Sequence, residues 1–238
     1  MTGPESATGP VSEAPGRMDG MSEELTIDDA ATRWVPGDRE GRPLLVLLHG
    51  YGADEHDLIG LAPYLPSGIA VASVAAPLDP PFPTPGRSWY PIDGLNGRRS
   101  DDITVAARAL LRWLDVAAAD APSVALLGFS QGAAVALQAL RLAPERLGAV
   151  VALSGYVTPG DLADDEALRE LRPSVFWGRG SADDVIPEAL IAHTSLWLPD
   201  HSTLSGRVYT GLTHSISEEE LGDVHQFLAL WLEGIAAE

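Results

Sequence analysis

The chain reads as an α/β protein with a mostly parallel central sheet covered by helices on both faces. Three observations carry that reading. Short continuous apolar runs recur along the chain, as strands buried on both faces require. Helical patterns separate them. One run, Val124–Phe129, ends in Gly128-Phe129-Ser130-Gln131-Gly132 and passes directly into the helix-forming Ala133–Leu140.

In chain order, Met1–Gly20 is rich in Gly, Pro, Ser, Glu and Ala and lacks the basic and apolar regions of a signal peptide. It is expected to be a disordered leader, with Met18 and Met21 as alternative starts. Residues 21–238 suit one domain with a large core. Pro43–His49 (Leu44, Leu45, Val46, Leu47, Leu48) is the first expected strand. Asp54–Leu65 is expected to be a helix with Asp54 as its N-cap. Ile69–Ala76 is a second strand. Pro77–Arg99 is irregular, with Pro77, Pro80, Pro81, Pro83, Pro85 and Pro91. So long a loop is usually functional or disordered, and Trp89, Tyr90 and Ile92 favour function. Asp101–Ala119 is a helix, because Ile103, Ala106, Ala107, Leu110, Leu111 and Leu114 recur at helical spacing. Strands follow at Val124–Phe129, Leu147–Leu153, Ser174–Trp177 and Arg207–Thr210, with a helical pattern at Glu188–Leu196. Ser217–Ile235 closes the chain as a helix, opened by the capping box Ser217-x-x-Glu220.

Composition excludes several classes. The chain has no cysteine, which removes disulfides, thiolate metal sites and a cysteine nucleophile. The formal net charge is −19, and all 15 basic residues are arginine. That charge argues against nucleic acid or an anionic membrane as partner, since both reward clustered positive charge. No apolar run is long enough to span a membrane. A cytoplasmic location is expected. Histidines do not recur with carboxylates at metal-ligand spacing, and no nucleotide-binding glycine motif follows a strand. Neither a metal nor a cofactor is expected.

The Gly-x-Ser-x-Gly turn points to nucleophilic chemistry. Gly128 and Gly132 remove side chains that would clash in a sharp turn, leaving the Ser130 hydroxyl exposed. A hydroxyl needs a base, and the base needs an orienting acid. Ligand sites in such sheets lie at the carboxyl ends of the strands. His214, in Gly211-Leu212-Thr213-His214-Ser215 between the last strand and the capped helix, is therefore the candidate base. His193, His201 and His225 read as ordinary, partly exposed histidines. Asp183 and Asp184 follow the run Val175-Phe176-Trp177-Gly178 and precede Val185-Ile186-Pro187. One of the pair should orient the histidine, and spacing alone does not decide between them. Asp161, Asp164, Asp165 and Glu166 read as a solvated acidic excursion. Leu48-His49-Gly50-Tyr51-Gly52 ends the first strand, so the Tyr51 and Gln131 amides are the candidate oxyanion donors. Trp89, Tyr90, Val185 and Ile216 are the candidate apolar pocket walls.

With these residues placed, the chain resembles the phospholipase/carboxylesterase family of α/β-hydrolases, the group that includes acyl-protein thioesterases. The resemblance runs from about Leu44 to Leu232. It rests on Leu48–Asp54, Gly128–Ala133, Leu153-Ser154-Gly155-Tyr156, Asp183–Pro187 and Gly211–Ser217. It implies the α/β-hydrolase fold and selects Asp183 as the acid through the pattern Asp-x-Val-Ile-Pro. Arg179-Gly180 stands where the family usually has His-Gly. The Trp89-Tyr90-x-Ile92 segment resembles the family's pocket-covering loop. The implied activity is cofactor-free hydrolysis of small-molecule carboxylic esters of short to medium acyl chain. Lysophospholipase or acyl thioesterase activity is the nearest alternative. A catalytically silent binding protein would be marked by loss of a triad member, and here all three are present.

Overall fold

The computed structural model describes residues 24–92 and 98–237, so the expected leader lies outside the described residues. Among the described residues, one seven-stranded sheet runs through the molecule. Its strands are β1 (Arg33–Trp34), β2 (Leu44–Leu48), β3 (Ala70–Val74), β4 (Val124–Phe129), β5 (Ala149–Leu153), β6 (Ser174–Gly180) and β7 (Thr203–Tyr209). They lie in the order β1-β3-β2-β4-β5-β6-β7. All pairs are parallel except β1 with β3.

The continuous apolar runs are explained by burial on both faces. All five residues of β2 are buried. Leu44, Val46 and Leu48 enter one core, and Leu45 and Leu47 enter the other, as the two-residue period of a strand dictates. The first core is completed by α1 (Ser100–Ala117), α2 (Gln131–Leu142) and residues of α3 (Asp165–Leu171) and α4 (Glu188–His201). The second is closed by α5 (Glu218–Ala236) and a 3-10 helix at Leu58–Tyr64. No helix among the described residues is long and apolar enough to cross a membrane.

The strand ends are in step. Leu48 pairs with Gly128, Gly128 with Ala152, and Leu153 with Gly178. The segments that leave β2, β4, β5 and β6 therefore emerge along one carboxyl edge of the sheet.

Several expectations need correction. Asp54 does not cap an α-helix. Its carboxylate accepts from the His56 amide at 2.9 Å, and a 3-10 helix starts only at Leu58. Gly60 and Pro63 weaken an α-helical ladder there. The acidic excursion contains α3, and Asp165 is buried rather than solvated. Its carboxylate takes both a 2.8 Å and a 2.6 Å bond from the Arg141 guanidinium, itself 1% exposed within α2. Burial pushes the Asp165 carboxyl up, but the Arg141 bonds and the Leu162 amide outweigh it and hold it below its ordinary value. Helix α4 continues through Pro199 to His201. His201 is buried, stacked on Trp197 at 3.7 Å between ring centroids, because tertiary packing outweighs the lost proline donor. Strand β7 starts at Thr203, earlier than its apolar residues suggest, because as an edge strand it keeps much of its surface in water. Two-residue β1 has too little sequence to show a pattern.

Helix α5 begins as expected, with Ser217 Oγ accepting from the Glu220 amide at 3.1 Å. The return arm of the capping box is not formed. The Glu220 side chain lies buried against Gly178 and Phe176, and neither carboxylate oxygen has a hydrogen-bond partner among the described residues. Burial, with a smaller contribution from Asp223, raises its pKa to about 7, and the nearby Ser217 amide offsets only part of that.

Candidate active site

Ser130 occupies the turn between β4 and α2 with φ 54° and ψ −112°, a conformation that an L-residue rarely adopts. Its amide is tied to the Leu153 carbonyl at 2.8 Å. The turn closes only because Gly128 and Gly132 lack side chains. A Cβ on Gly128 would overlap the Gly132 carbonyl and the Ala133 amide, and one on Gly132 would overlap the Leu48 carbonyl. Helix α2 is buried along almost its whole length, which suits its small residues and places the turn rigidly.

Three side chains from separate segments meet there. His214 Nε2 lies 2.9 Å from Ser130 Oγ, and His214 Nδ1 lies 2.8 Å from Asp183 Oδ2. The Asp183 side chain is 1% exposed, while Asp184 is exposed. The other Asp183 oxygen accepts from the amides of Val185 at 3.0 Å and Ile186 at 3.3 Å. Burial pushes the Asp183 carboxyl up. The bond from His214 and the two amides outweigh that, so it stays below its ordinary value and remains ionised at neutral pH. An acceptor-only carboxylate at Nδ1 requires Nδ1 to carry its proton, which leaves Nε2 to accept from the serine hydroxyl. The Phe129 ring lies against the imidazole at 4.9 Å between centroids. Such an arrangement can deprotonate a hydroxyl as it attacks a carbonyl carbon.

The Tyr51 and Gln131 amides have no backbone acceptor among the described residues. Both residues line the same cavity as Ser130 and His214. Sequence reasoning left out the residue that holds this loop. His49 is fully buried, and its Nδ1–H donates to the Gly50 carbonyl at 2.7 Å while Nε2 accepts from the Ala76 amide at 3.0 Å. The accepting Nε2 demands the neutral ring, and burial lowers its pKa despite the Gly50 bond. The signal available in the sequence was a histidine directly after a fully apolar strand.

The pocket walls are partly as expected. The cavity measures about 240 Å³ and is lined by Tyr90 and Val185, together with Ile92, Arg98, Tyr156 and Ile186. Trp89 does not line it. Its ring is fully buried, with the indole N–H donating to the His49 carbonyl at 2.9 Å, so it supports the loop from behind. Ile216 does not line it either. It packs on the second core. The Gln131 side chain fixes the irregular segment. Its Oε1 accepts from the Trp89 amide at 2.7 Å and its Nε2 donates to the Tyr90 carbonyl at 2.6 Å. The Tyr90 and Tyr156 hydroxyls share a 2.8 Å bond. Burial holds the Tyr90 phenol well above its ordinary value and raises Tyr156 to about 12, so both stay protonated. Arg179, at the position the family usually fills with histidine, sets its guanidinium 5.7 Å from the Trp177 ring centroid and does not line the cavity.

Residues 31–232 match the Phospholipase/Carboxylesterase family. The chain belongs to that family. Among curated relatives, acyl-protein thioesterase 1 of Saccharomyces cerevisiae is 34% identical over 105 residues, covering 42% of this chain and 46% of that protein. A probable carboxylesterase of Oryza sativa subsp. japonica is 30% identical over 151 residues, 59% of this chain and 57% of its own. The chain thus spans about half the length of the curated relatives it matches. The crystal structure of esterase PE8 superposes with a TM-score of 0.71 at 27% identity, covering 87% of this chain and 99% of that one. A carboxylesterase of Bacillus cereus, at 21% identity and TM-score 0.72 over 84% of this chain and 93% of its own, shares the fold. The sheet and its flanking helices are those of an α/β-hydrolase.

Proposed function

We propose that this protein is a serine hydrolase that cleaves carboxylic esters of short to medium acyl chain. The observation that carries the proposal is the unbroken hydrogen-bond chain from Ser130 through His214 to Asp183 at the head of α2. In this reading His214 Nε2 takes the Ser130 proton as Oγ attacks the acyl carbon. Asp183 holds the imidazole and stabilises its charged form. The Tyr51 and Gln131 amides receive the negative charge on the former carbonyl oxygen. His214 returns the proton to the leaving alcohol, giving an acyl-serine. Water, deprotonated by His214, then attacks that ester and releases the acid and the free serine. Family membership supports the same chemistry. A cavity of about 240 Å³ favours short acyl groups, since it lies just below the ~300–1,000 Å³ of pockets that enclose drug-sized ligands.

Thioester cleavage is the second reading, favoured by the name of the yeast relative, acyl-protein thioesterase 1. The test is hydrolysis of p-nitrophenyl acetate, butyrate, octanoate and palmitate, with acetyl and palmitoyl thioesters alongside, by the wild type and Ser130→Ala. Turnover of acetate and butyrate that disappears in the variant supports the esterase. Turnover confined to thioesters replaces it with the second reading. A folded wild type inactive on all of them refutes both.

A further inference from the structure

We infer that Arg98, Tyr90 and Tyr156 form an anion-binding corner of the cavity, so that the preferred ester carries a carboxylate. The inference rests on the hydrolase reading for its substrate class, while the corner itself stands on geometry. Arg98, Tyr90 and Tyr156 line the same cavity as Ser130 and His214. In a chain of 34 acidic and 15 basic residues, an arginine without an acidic partner is conspicuous. Arg98 has no carboxylate within ion-pair distance among the described residues, whereas its neighbour Arg99 pairs with Asp101. Its guanidinium is held in place by one bond, Nη2 donating to the Val185 carbonyl at 3.2 Å, and it sits 6.0 Å from the centre of the Tyr156 ring. Nη1 is buried and has no hydrogen-bond partner among the described residues. A buried guanidinium N–H without an acceptor is costly, and an anionic ligand oxygen placed against it would relieve that cost.

The tyrosines supply a second donor. Two hydroxyls that share one hydrogen bond use one of their two protons. The other proton has no acceptor among the described residues. The corner thus offers a fixed cation and a spare O–H, the pairing that suits the two oxygens of a carboxylate. The other charge in the cavity lining is that of Asp57, an exposed residue of the turn before the 3-10 helix, while Asp183 is engaged by His214. Phe129, Ile92 and Ile186, which also line the cavity, are apolar and cannot distinguish charged from neutral esters.

The test compares matched pairs of esters, with the anion on either side of the scissile bond. Mono-p-nitrophenyl adipate is set against p-nitrophenyl hexanoate, and 4-acetoxybenzoate against its methyl ester, with Ser130→Ala as background. The wild type is expected to favour at least one anionic member in kcat/KM by about ten- to a hundredfold, as a charge-assisted hydrogen bond allows. Which pair shows the preference identifies the side that occupies the corner. In Arg98→Gln the anionic-to-neutral ratio should fall at least about tenfold, and Arg98→Lys should recover part of it. Arg99→Gln, an exposed pair partner on the same segment, should leave the ratio unchanged. Equal turnover of both members of both pairs, or a ratio insensitive to Arg98→Gln, overturns the inference and leaves the hydrolase reading intact. Adipate is also tested as a ligand of Ser130→Ala by calorimetric titration. Binding that Arg98→Gln weakens, from a protein whose wild type turns over no ester, would preserve the anion corner and remove the hydrolase.

Discussion

Replacing Glu220 by Gln should change the pH dependence of stability by an amount that the structure sets. The Glu220 carboxylate is buried at the start of α5, against Gly178, with neither oxygen hydrogen-bonded among the described residues. Burial raises its pKa from the ordinary 4.5 to about 7. Between those values the folded protein binds the proton more tightly than the unfolded chain does, so stability falls as pH rises through the window. The whole shift corresponds to about 3 kcal/mol at 1.36 kcal/mol per pK unit. Somewhat under 1 kcal/mol of that is already lost at pH 5, leaving about 2–3 kcal/mol between pH 5 and pH 8. Glutamine does not titrate, so the stability of Glu220→Gln relative to the wild type should improve by about 2–3 kcal/mol over that interval. For a chain of this size that is a relative gain of about 5–10 °C in Tm. The measurement is urea unfolding of both proteins from pH 5 to pH 8, followed by far-UV circular dichroism. Whatever constant cost the amide carries cancels in the comparison. A difference that stays constant with pH, or one that shrinks as pH rises, would refute the argument.

The remaining predictions concern the site and its frame. Asp183→Asn should lower kcat about 10³–10⁴-fold in an ester assay, because an asparagine that donates toward Nδ1 favours the wrong imidazole tautomer. Asp184→Asn, at an exposed position, should change kcat less than about twofold in the same assay. Gly132→Ala should destabilise the fold by about 1–3 kcal/mol or more in chemical denaturation, since the new methyl group would overlap the Leu48 carbonyl. Asp165→Ala should cost about 3–5 kcal/mol, read by the same unfolding experiment, because it strands the buried Arg141 charge.

The core of the fold was legible because its strands are buried on both faces. Leu44–Leu48, Ala149–Leu153 and Val124–Phe129 carry unbroken apolar runs that water would not tolerate elsewhere. Edge strands β1 and β7 lack that signature, since one long side of each faces solvent or a short partner. Helix α3 was hidden by its acidic residues. The clue to it lay in Arg141, a charge inside an otherwise uncharged helix that has to find a carboxylate when buried. Among candidate site residues, Ser130, Asp183 and His214 could be read from local motifs, and they meet in space. The pocket walls could not be read in that way. Trp89 and Ile216 are near the others in sequence, yet they turn toward the core.

The sequence by itself determined the layered α/β architecture, the strained serine turn and the residue types available for proton transfer. These follow from short-range rules: strand and helix periods, the room left by Gly128 and Gly132, and the absence of cysteine. The tertiary structure decided that His49 braces the glycine loop and that Arg98 and two tyrosines share the cavity with Ser130. It also decided that Glu220 is buried without a hydrogen-bond partner among the described residues. The reason is physical. Local sequence sets the dihedral angles and the period of each element, whereas burial and charge pairing depend on side chains brought together from distant parts of the chain by the parallel sheet.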